Sequence, residues 1–168
     1  ELKFDGLAIS ILYENGILIS GATRGNGIQG EDVTQNIRTI KSIPLKLRKR
    51  HSNLLDVRGE ILFPKSKFQQ LNEDRIEKGL TPYSHPRNTA SGSLRQLNPN
   101  ITAQRNLDIF FYNIGYIDGY NITSHWEQLD YLKELGLKTN PLNKRVNSVK
   151  EIIDFYSIWN NNQNNLDY

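Results

Sequence analysis

The chain has 168 residues, of which 37% are hydrophobic and 23% are charged, a balance that is ordinary for one soluble globular domain. It contains no cysteine, which excludes disulfides, thiolate metal sites and cysteine nucleophiles. No apolar run approaches the roughly 20 residues of a membrane-spanning helix, and the net charge of +3 favours a polyanionic partner only weakly. Because it has neither a signal peptide nor an initiator methionine, the sequence is expected to be an excerpt of a longer, cytoplasmic protein.

The first six residues combine a lysine, an aspartate and a glycine ahead of an apolar run. A lysine amine becomes a nucleophile when burial or neighbouring cations lower its pKa from about 10.4. On an extended segment Lys3 and Asp5 point to the same face, and Gly6 lets a backbone or a ligand approach closely. The pattern indicates either a lysine that attacks an activated phosphorus or a surface lysine beside a turn.

Two apolar runs flank Asn15-Gly16, and this arrangement is typical of a β-hairpin over residues 7–23. The glycine-rich stretch at 23–30 could line an anion site with its backbone N–H groups, although a plain strand-to-helix connection is the commoner use of such a loop. Apolar residues at helical spacing then predict a short amphipathic helix within residues 31–40.

A basic run at residues 41–51 could bind phosphate backbones, but a solvated loop is the more frequent structure for such a run. Residues 53–63 predict a strand, whose alternation puts Asp56, Arg58 and Glu60 on one face. Three charges on one face of an apolar strand are costly unless that face is wet or lines a cleft. A solvated outer face and a site wall therefore both remain open.

A helix is predicted from Pro64 to about Gly79, since proline suits the first helical position. The stretch at 87–97 is dominated by small residues and carries Arg87 and Arg95, which lie about two helical turns apart and could share a face. The two arginines indicate a surface that something flat or charged approaches closely. The alternative is a poorly packed surface helix.

Residues 107–117 are the most strand-like run, and the phenol of Tyr112 would need a polar partner if it were buried. Capping boxes that begin at Ser124 and Ser148 predict two final helices, followed by a polar loop at 160–165. Together these elements predict an α+β domain in which antiparallel sheets form a cleft and helices pack outside. The histidines lack a spacing suited to a metal site and are expected to be structural or exposed: His51, His85 and His125.

Several blocks of this sequence, in order, resemble the adenylation domain of bacterial NAD⁺-dependent DNA ligases. They are Glu1-Leu2-Lys3-Phe4-Asp5-Gly6, Thr23-Arg24-Gly25-Asn26-Gly27 with Gly30-Glu31-Asp32-Val33-Thr34, Val57-Arg58-Gly59-Glu60, Pro86-Arg87-Asn88 with Gly92-Ser93-Leu94-Arg95-Gln96-Leu97, and Phe110-Phe111-Tyr112. The lysine block alone is shared with ATP-dependent ligases and capping enzymes, and the longer blocks separate the NAD⁺-dependent family from them. The one departure within the blocks is Asn26, which stands where many members have aspartate.

The resemblance implies that residues 1–168 are part of a truncated nucleotidyltransferase core. The nicotinamide-binding domain is expected before this segment, and strands that carry two further lysines are expected after it. With those lysines missing, the chain alone is expected to self-adenylate weakly or not at all. The protein is expected to act in DNA replication and repair, as a monomer without membrane attachment.

The family chemistry assigns roles to individual residues. Lys3 would attack the α-phosphate of NAD⁺, release nicotinamide mononucleotide and carry AMP to the 5′-phosphate of nicked double-stranded DNA, whose 3′-hydroxyl then displaces it. Asp5 would act with Mg²⁺ at the phosphoryl centre as a second catalytic residue. The residues implied in binding the nucleotide are Glu1, Lys3, Arg24 and Glu60. Those implied in binding AMP or the nick phosphates are Arg87 and Arg95.

Two other functions compete with this one. An ATP-dependent nucleotidyltransferase would share the lysine motif but would take its adenylate from ATP. A non-catalytic nucleic-acid-binding module would use the basic run at 46–50 together with Arg87 and Arg95. Its DNA binding would depend on salt and would be unaffected by Lys3→Ala.

Overall fold

The structure, a computed structural model, describes residues 1–49 and 52–168. Four antiparallel strands form one sheet in the order β2-β1-β3-β4, namely β1 (Leu7–Glu14), β2 (Ile17–Thr23), β3 (Leu54–Leu62) and β4 (Asp108–Ile117). The predicted hairpin is confirmed, and both residues of its turn have positive φ, 51° at Asn15 and 78° at Gly16. The α+β class is confirmed, with a single sheet among the described residues instead of several.

Six α-helices surround the sheet in the described ranges. They are α1 (Thr34–Ile37), α2 (Lys65–Glu77), α3 (Pro86–Leu94), α4 (Pro99–Ala103), α5 (His125–Glu134) and α6 (Val149–Asn162), and a 3₁₀ turn (Gln163–Asn165) follows the last. The helix predicted within 31–40 shrinks to four residues, because Glu31 and Asp32 still pair with the backbone of β2. Pro64 is the N-cap of α2 and not its first helical residue.

The predicted polar loop at 160–165 is wrong, because α6 continues to Asn162 and runs into the 3₁₀ turn. Two interactions stabilise this polar end of the helix. The Asn162 side chain donates to the Ile158 carbonyl at 2.7 Å, and Lys65 Nζ donates to the carbonyls of Gln163 and Leu166 at 3.2 and 2.8 Å. The ammonium group of Lys65 in α2 thus binds carbonyl groups at the end of this helical segment. Sequence periodicity could not predict this long-range contact.

The hydrophobic core lies on one face of the sheet. Side chains that alternate along β1, β3 and β4, such as Ile11, Val57 and Phe111, pack there against α1, α3 and the end of α5. The register places Glu60 on the opposite face, level with Ala8 of β1 and Phe110 of β4. On this second face Phe4, Leu62 and Phe110 form a small buried cluster, and Glu60 beside it is only half-buried.

Residues 41–49 of the basic run form a loop whose basic side chains are exposed, as predicted, but the loop is anchored to the hairpin. Ile43 and Leu47 are buried, and the Leu47 N–H donates to the Gly16 carbonyl at 2.8 Å. Lys49 forms an exposed ion pair of 3.2 Å with Glu134 of α5. Arg50 and His51, which belonged to the predicted basic run, lie outside the described residues. Within 1–49 and 52–168, no helix is long and apolar enough to cross a membrane.

Candidate functional site

Glu60 is a half-buried carboxylate on the face of the sheet opposite the core, between its cross-strand neighbours Ala8 and Phe110. Burial raises the pKa of Glu60 above its usual range, against the opposing effects of a hydrogen bond from the Gly6 N–H and the charges of Lys3 and Arg87. The carboxylate therefore lies where the N-terminal segment and an arginine of α3 meet the sheet. The sequence left two alternatives for this face of β3, a solvated outer face and the wall of a binding site. The surroundings of Glu60 favour the second alternative.

The N-terminal segment approaches the end of β3 very closely. A Cβ at Gly6 would lie 2.1 Å from the Ile61 carbonyl oxygen, so any larger residue would push the segment off the strand. This contact holds Lys3 beside Glu60, and both side chains line a concavity of about 190 Å³. The lining is completed by Glu1, Leu2, Phe4 and Tyr112. The Lys3 side chain is exposed, so the burial that would activate its amine is not present in this structure.

Tyr112 lies at an irregularity of β4, where the register with β3 shifts between Arg58 and Gly59. Burial is the main cause that raises the pKa of its phenol, and the Glu60 carboxylate adds to it. The charges of Arg58 and Arg24 act in the opposite direction. The Tyr112 phenol, which would need a polar partner if it were buried, is thus acted on by the charges of two guanidinium groups and a carboxylate.

Arg24 reaches this cluster from the start of the glycine-rich loop. Its backbone N–H donates to the carbonyl of Ala8, the cross-strand neighbour of Glu60, at 3.0 Å. Within the loop, the Asn26 side-chain oxygen accepts from the N–H groups of Ile28 and Gln29 at 3.0 and 2.8 Å. An amide oxygen here accepts the same hydrogen bonds that an aspartate oxygen could accept. Lys3, Arg24 and Glu60, which are far apart in sequence, therefore converge around Tyr112.

The two arginines of the α3 block are each held by a carboxylate. Arg87 Nη1 donates to Asp5 Oδ1 at 3.0 Å, and the charges of both residues act on the pKa of Glu60. Arg95, just past the end of α3, pairs with Glu31 and also donates from Nη1 to Ser91 Oγ at 2.6 Å. Ser91 is four positions from each arginine, and the structure joins it to Arg95, whereas Arg87 reaches the lysine segment. No contact among the described residues joins Arg95 to Lys3 or Glu60.

Comparison with known proteins now decides the family. The family model for the NAD-dependent DNA ligase adenylation domain matches residues 1–168. The chain belongs to this family.

Curated relatives named DNA ligase match the whole chain. The protein of Thermotoga petrophila is 48% identical over 168 residues, which is 24% of its own length. Those of Carboxydothermus hydrogenoformans and Bacillus cytotoxicus are 50% and 51% identical over 168 residues, 25% of each protein. The chain thus spans about a quarter of the length of the curated relatives it matches.

Glu1 of this adenylation domain is held by residues that the sequence did not single out. Its Oε1 accepts a hydrogen bond from Asn143 Nδ2 at 2.9 Å, and its Oε2 lies 2.7 Å from His125 Nε2. His125 remains exposed, as predicted, but it also contacts Glu1. These partners are 142 and 124 positions from Glu1, and no local pattern could have identified them.

The carboxylates of the adenylation domain give only a partial metal site. Among the described residues, no group of three histidine, aspartate or glutamate side chains could hold a metal ion. The Asp5 charge acts weakly on the pKa of Glu60, and the Asp5 carboxylate is paired with Arg87. Mg²⁺ is commonly bound by one or two protein carboxylates, waters and substrate phosphates. Asp5 could serve as one such carboxylate for an ion that arrives with a nucleotide, whereas the described residues offer no protein-only cage.

Proposed function

We propose that this adenylation domain serves a DNA ligase in which Lys3 takes AMP from NAD⁺ and passes it to the 5′-phosphate of nicked DNA. The observation that carries the proposal is the shared concavity of Lys3, Glu60 and Tyr112. An amine, a fixed carboxylate and an aromatic ring are the groups that a nucleotidyl-transfer site for adenosine requires. The proposal is further supported by the match of the entire chain to the NAD-dependent family.

The bound adenosine would occupy the concavity, with its phosphates toward the Arg87–Asp5 pair. Glu60 would accept a hydrogen bond from a ribose hydroxyl, and Glu1 would lie against the adenine. Arg24 would contact the ribose or phosphate oxygens, for which its planar guanidinium is suited. Each role follows from a side chain that lines the concavity or acts electrostatically on Tyr112 and Glu60.

In the first chemical step Lys3 would lose a proton from Nζ and attack the α-phosphorus of NAD⁺. The new P–N bond forms as the P–O bond to nicotinamide mononucleotide breaks, and the proton passes to solvent. Mg²⁺, held by Asp5 and the phosphates, would supply positive charge at the phosphoryl centre. Because Lys3 is exposed and lies beside the Glu60 carboxylate, further positive charge or burial at the amine would help it to react.

In the second stage the adenylate would pass to the 5′-phosphate at a nick, with Lys3 as leaving group. The 3′-hydroxyl would then attack that phosphate, join the strands and release AMP. Arg87 and Arg95 would neutralise the phosphate oxygens of AMP and of the nick.

Adduct formation tests the proposal directly. The full-length gene product is incubated with NAD⁺ and Mg²⁺, and intact mass is measured for wild type and Lys3→Ala. We expect one added adenylyl mass on wild type and none on the variant. An adduct with ATP but not NAD⁺ would select the ATP-dependent reading. Salt-sensitive DNA binding without any adduct, unchanged in Lys3→Ala, would select the non-catalytic module.

A further inference from the structure

The guanidinium of Arg95 is held from two sides by side chains of different elements. Its Nε donates to the carboxylate of Glu31, and its Nη1 donates to Ser91 Oγ at 2.6 Å. Ser91 lies in α3, four positions before Arg95, whereas Glu31 lies 64 positions away. In the part of the chain that the structure describes, Nη2 has no side-chain partner. The two contacts fix the plane of the guanidinium and leave one of its edges available.

Glu31 is itself held firmly at the base of the glycine-rich loop. The Thr23 N–H donates to the Glu31 carbonyl at 3.0 Å, and the Glu31 N–H donates to Thr23 Oγ1 at 3.0 Å. The backbone is close at this point, since a Cβ at Gly30 would lie 1.8 Å from the Thr23 carbonyl oxygen. These bonds close the loop that begins with Arg24, and they involve the backbone of Glu31 while leaving its carboxylate to Arg95.

We propose that Glu31 is a positioning residue that orients Arg95 toward a phosphate of the nick or of AMP, and couples this arginine to the Arg24 loop. The inference rests on the proposed function, because it assigns a partner to Arg95 in the same reaction. The Arg95–Glu31 ion pair is exposed, and exposed ion pairs add little to the free energy of unfolding. Its main effect is therefore expected to be on the orientation of Arg95. A guanidinium that is already oriented loses less conformational freedom when it binds a phosphate, and small misplacements of such groups slow reactions strongly.

The test uses the full-length protein, adenylated beforehand and supplied with NAD⁺ and Mg²⁺ for further turnovers, with a nicked duplex bearing a 5′-phosphate. Rates of sealing are measured as kcat and KM for Glu31→Ala, Glu31→Gln, Arg95→Ala and the double variant Glu31→Ala/Arg95→Ala. Glu134→Ala, which removes the acid of the similarly exposed Lys49–Glu134 pair, is the matched control. Thermal midpoints are measured for every variant.

We expect Glu31→Ala to lower kcat roughly 10- to 100-fold without a shift in the thermal midpoint. Glu31→Gln retains an oxygen that can accept from Nε, so its loss should be smaller. The double variant should be no slower than Arg95→Ala alone, because Glu31 acts only through Arg95. Glu134→Ala should match wild type.

Three results would overturn the inference: wild-type kcat in Glu31→Ala, a double variant whose loss is the product of the single losses, or a fall in kcat matched by a fall in the thermal midpoint. These results are distinct from failure of the proposed function. In that case the wild-type protein itself takes no AMP from NAD⁺ and seals no nick.

Discussion

Arg87 and Asp5, which are 82 positions apart, form an ion pair of 3.0 Å that ties the first turn of α3 to the lysine segment. Both side chains remain mostly exposed. The pair therefore sits where substrate phosphates could exchange with the Asp5 carboxylate for contact with Arg87. Such an exposed contact joins two segments that are distant in sequence and contributes little to the stability of the fold.

Removing Arg87 or Asp5 should lower activity strongly while changing the stability of the fold little. Arg87→Ala and Asp5→Ala are each expected to change the free energy of unfolding by at most about 1 kcal/mol, because exposed ion pairs contribute in that range. Adenylate uptake from NAD⁺ should fall strongly in both. Denaturant unfolding and adduct formation, measured on the same preparations, check this, with Glu134→Ala as the control. A large loss of stability in Asp5→Ala with normal uptake would contradict it.

Gly6→Ala should destabilise the protein and disturb Lys3. The new methyl group would meet the Ile61 carbonyl at 2.1 Å, so the segment must move, at a cost of roughly 1–3 kcal/mol. Gly92→Ala in α3 is the control, since nothing lies within 4 Å of its added Cβ. Alanine there should leave stability equal or raise it by up to about 1 kcal/mol. Urea unfolding curves measure both, and equal effects would refute the steric argument.

Glu60→Gln should change the dependence of stability on pH in a defined direction. Burial raises the pKa of Glu60 in the folded protein, so folding favours its protonated form. The stabilising contribution of that form is present below the ordinary glutamate pKa of about 4.3 and is lost as pH rises through the folded value. Relative to wild type, Glu60→Gln should therefore gain stability as pH rises from acid to neutral.

For Glu127→Gln we expect the opposite change of stability with pH, which makes it a useful comparison for Glu60→Gln. Hydrogen bonds from Thr123 and Ser124 lower the pKa of Glu127, which completes the capping box of α5. Its contribution is present above the ordinary glutamate pKa and is lost as pH falls through the folded value. Relative to wild type, this variant should lose stability on going from acid to neutral pH. Unfolding curves at several pH values measure both variants, and the same trend in both would refute the assignment for Glu60.

The 168-residue chain by itself should take up little or no AMP from NAD⁺. Lys3 is exposed and lies beside the Glu60 carboxylate, and the nearby cation Arg87 is already paired with Asp5. These surroundings lack the burial and the additional cations that make a lysine amine an effective nucleophile. Intact mass after incubation with NAD⁺ and Mg²⁺ gives the result, with the full-length protein as control. A stoichiometric adduct on the chain alone would disprove the prediction.

Local sequence patterns predicted those elements whose causes are local. The Asn15-Gly16 turn requires positive φ, and the Ser124 capping box satisfies helix N–H groups within four residues. The alternation along β3 correctly placed Glu60 on the opposite face from the apolar residues of that strand that form the core. Each of these features depends on residues that are adjacent in the chain.

Features set by distant partners could not be predicted in the same way. The helix within 31–40 was shortened because Glu31 pairs with Thr23, and α6 was extended with help from Lys65. The basic run appeared free in sequence, but Leu47 anchors it to the hairpin. The contacts of Glu1 with His125 and Asn143 likewise arise only when the whole chain has folded.

The central position of β1 and β3 in the sheet has a consequence for how the pocket comes into being during folding. The hairpin of β1 and β2 can form from residues that are close in sequence. On its own it provides only β1, the strand that follows Lys3. The Glu60 carboxylate is added when β3 pairs with β1. A shift of one residue in that pairing would turn Glu60 toward the core. The proposed affinity for adenosine should therefore depend on this one register, so that nucleotide binding would report whether β1 and β3 are correctly paired.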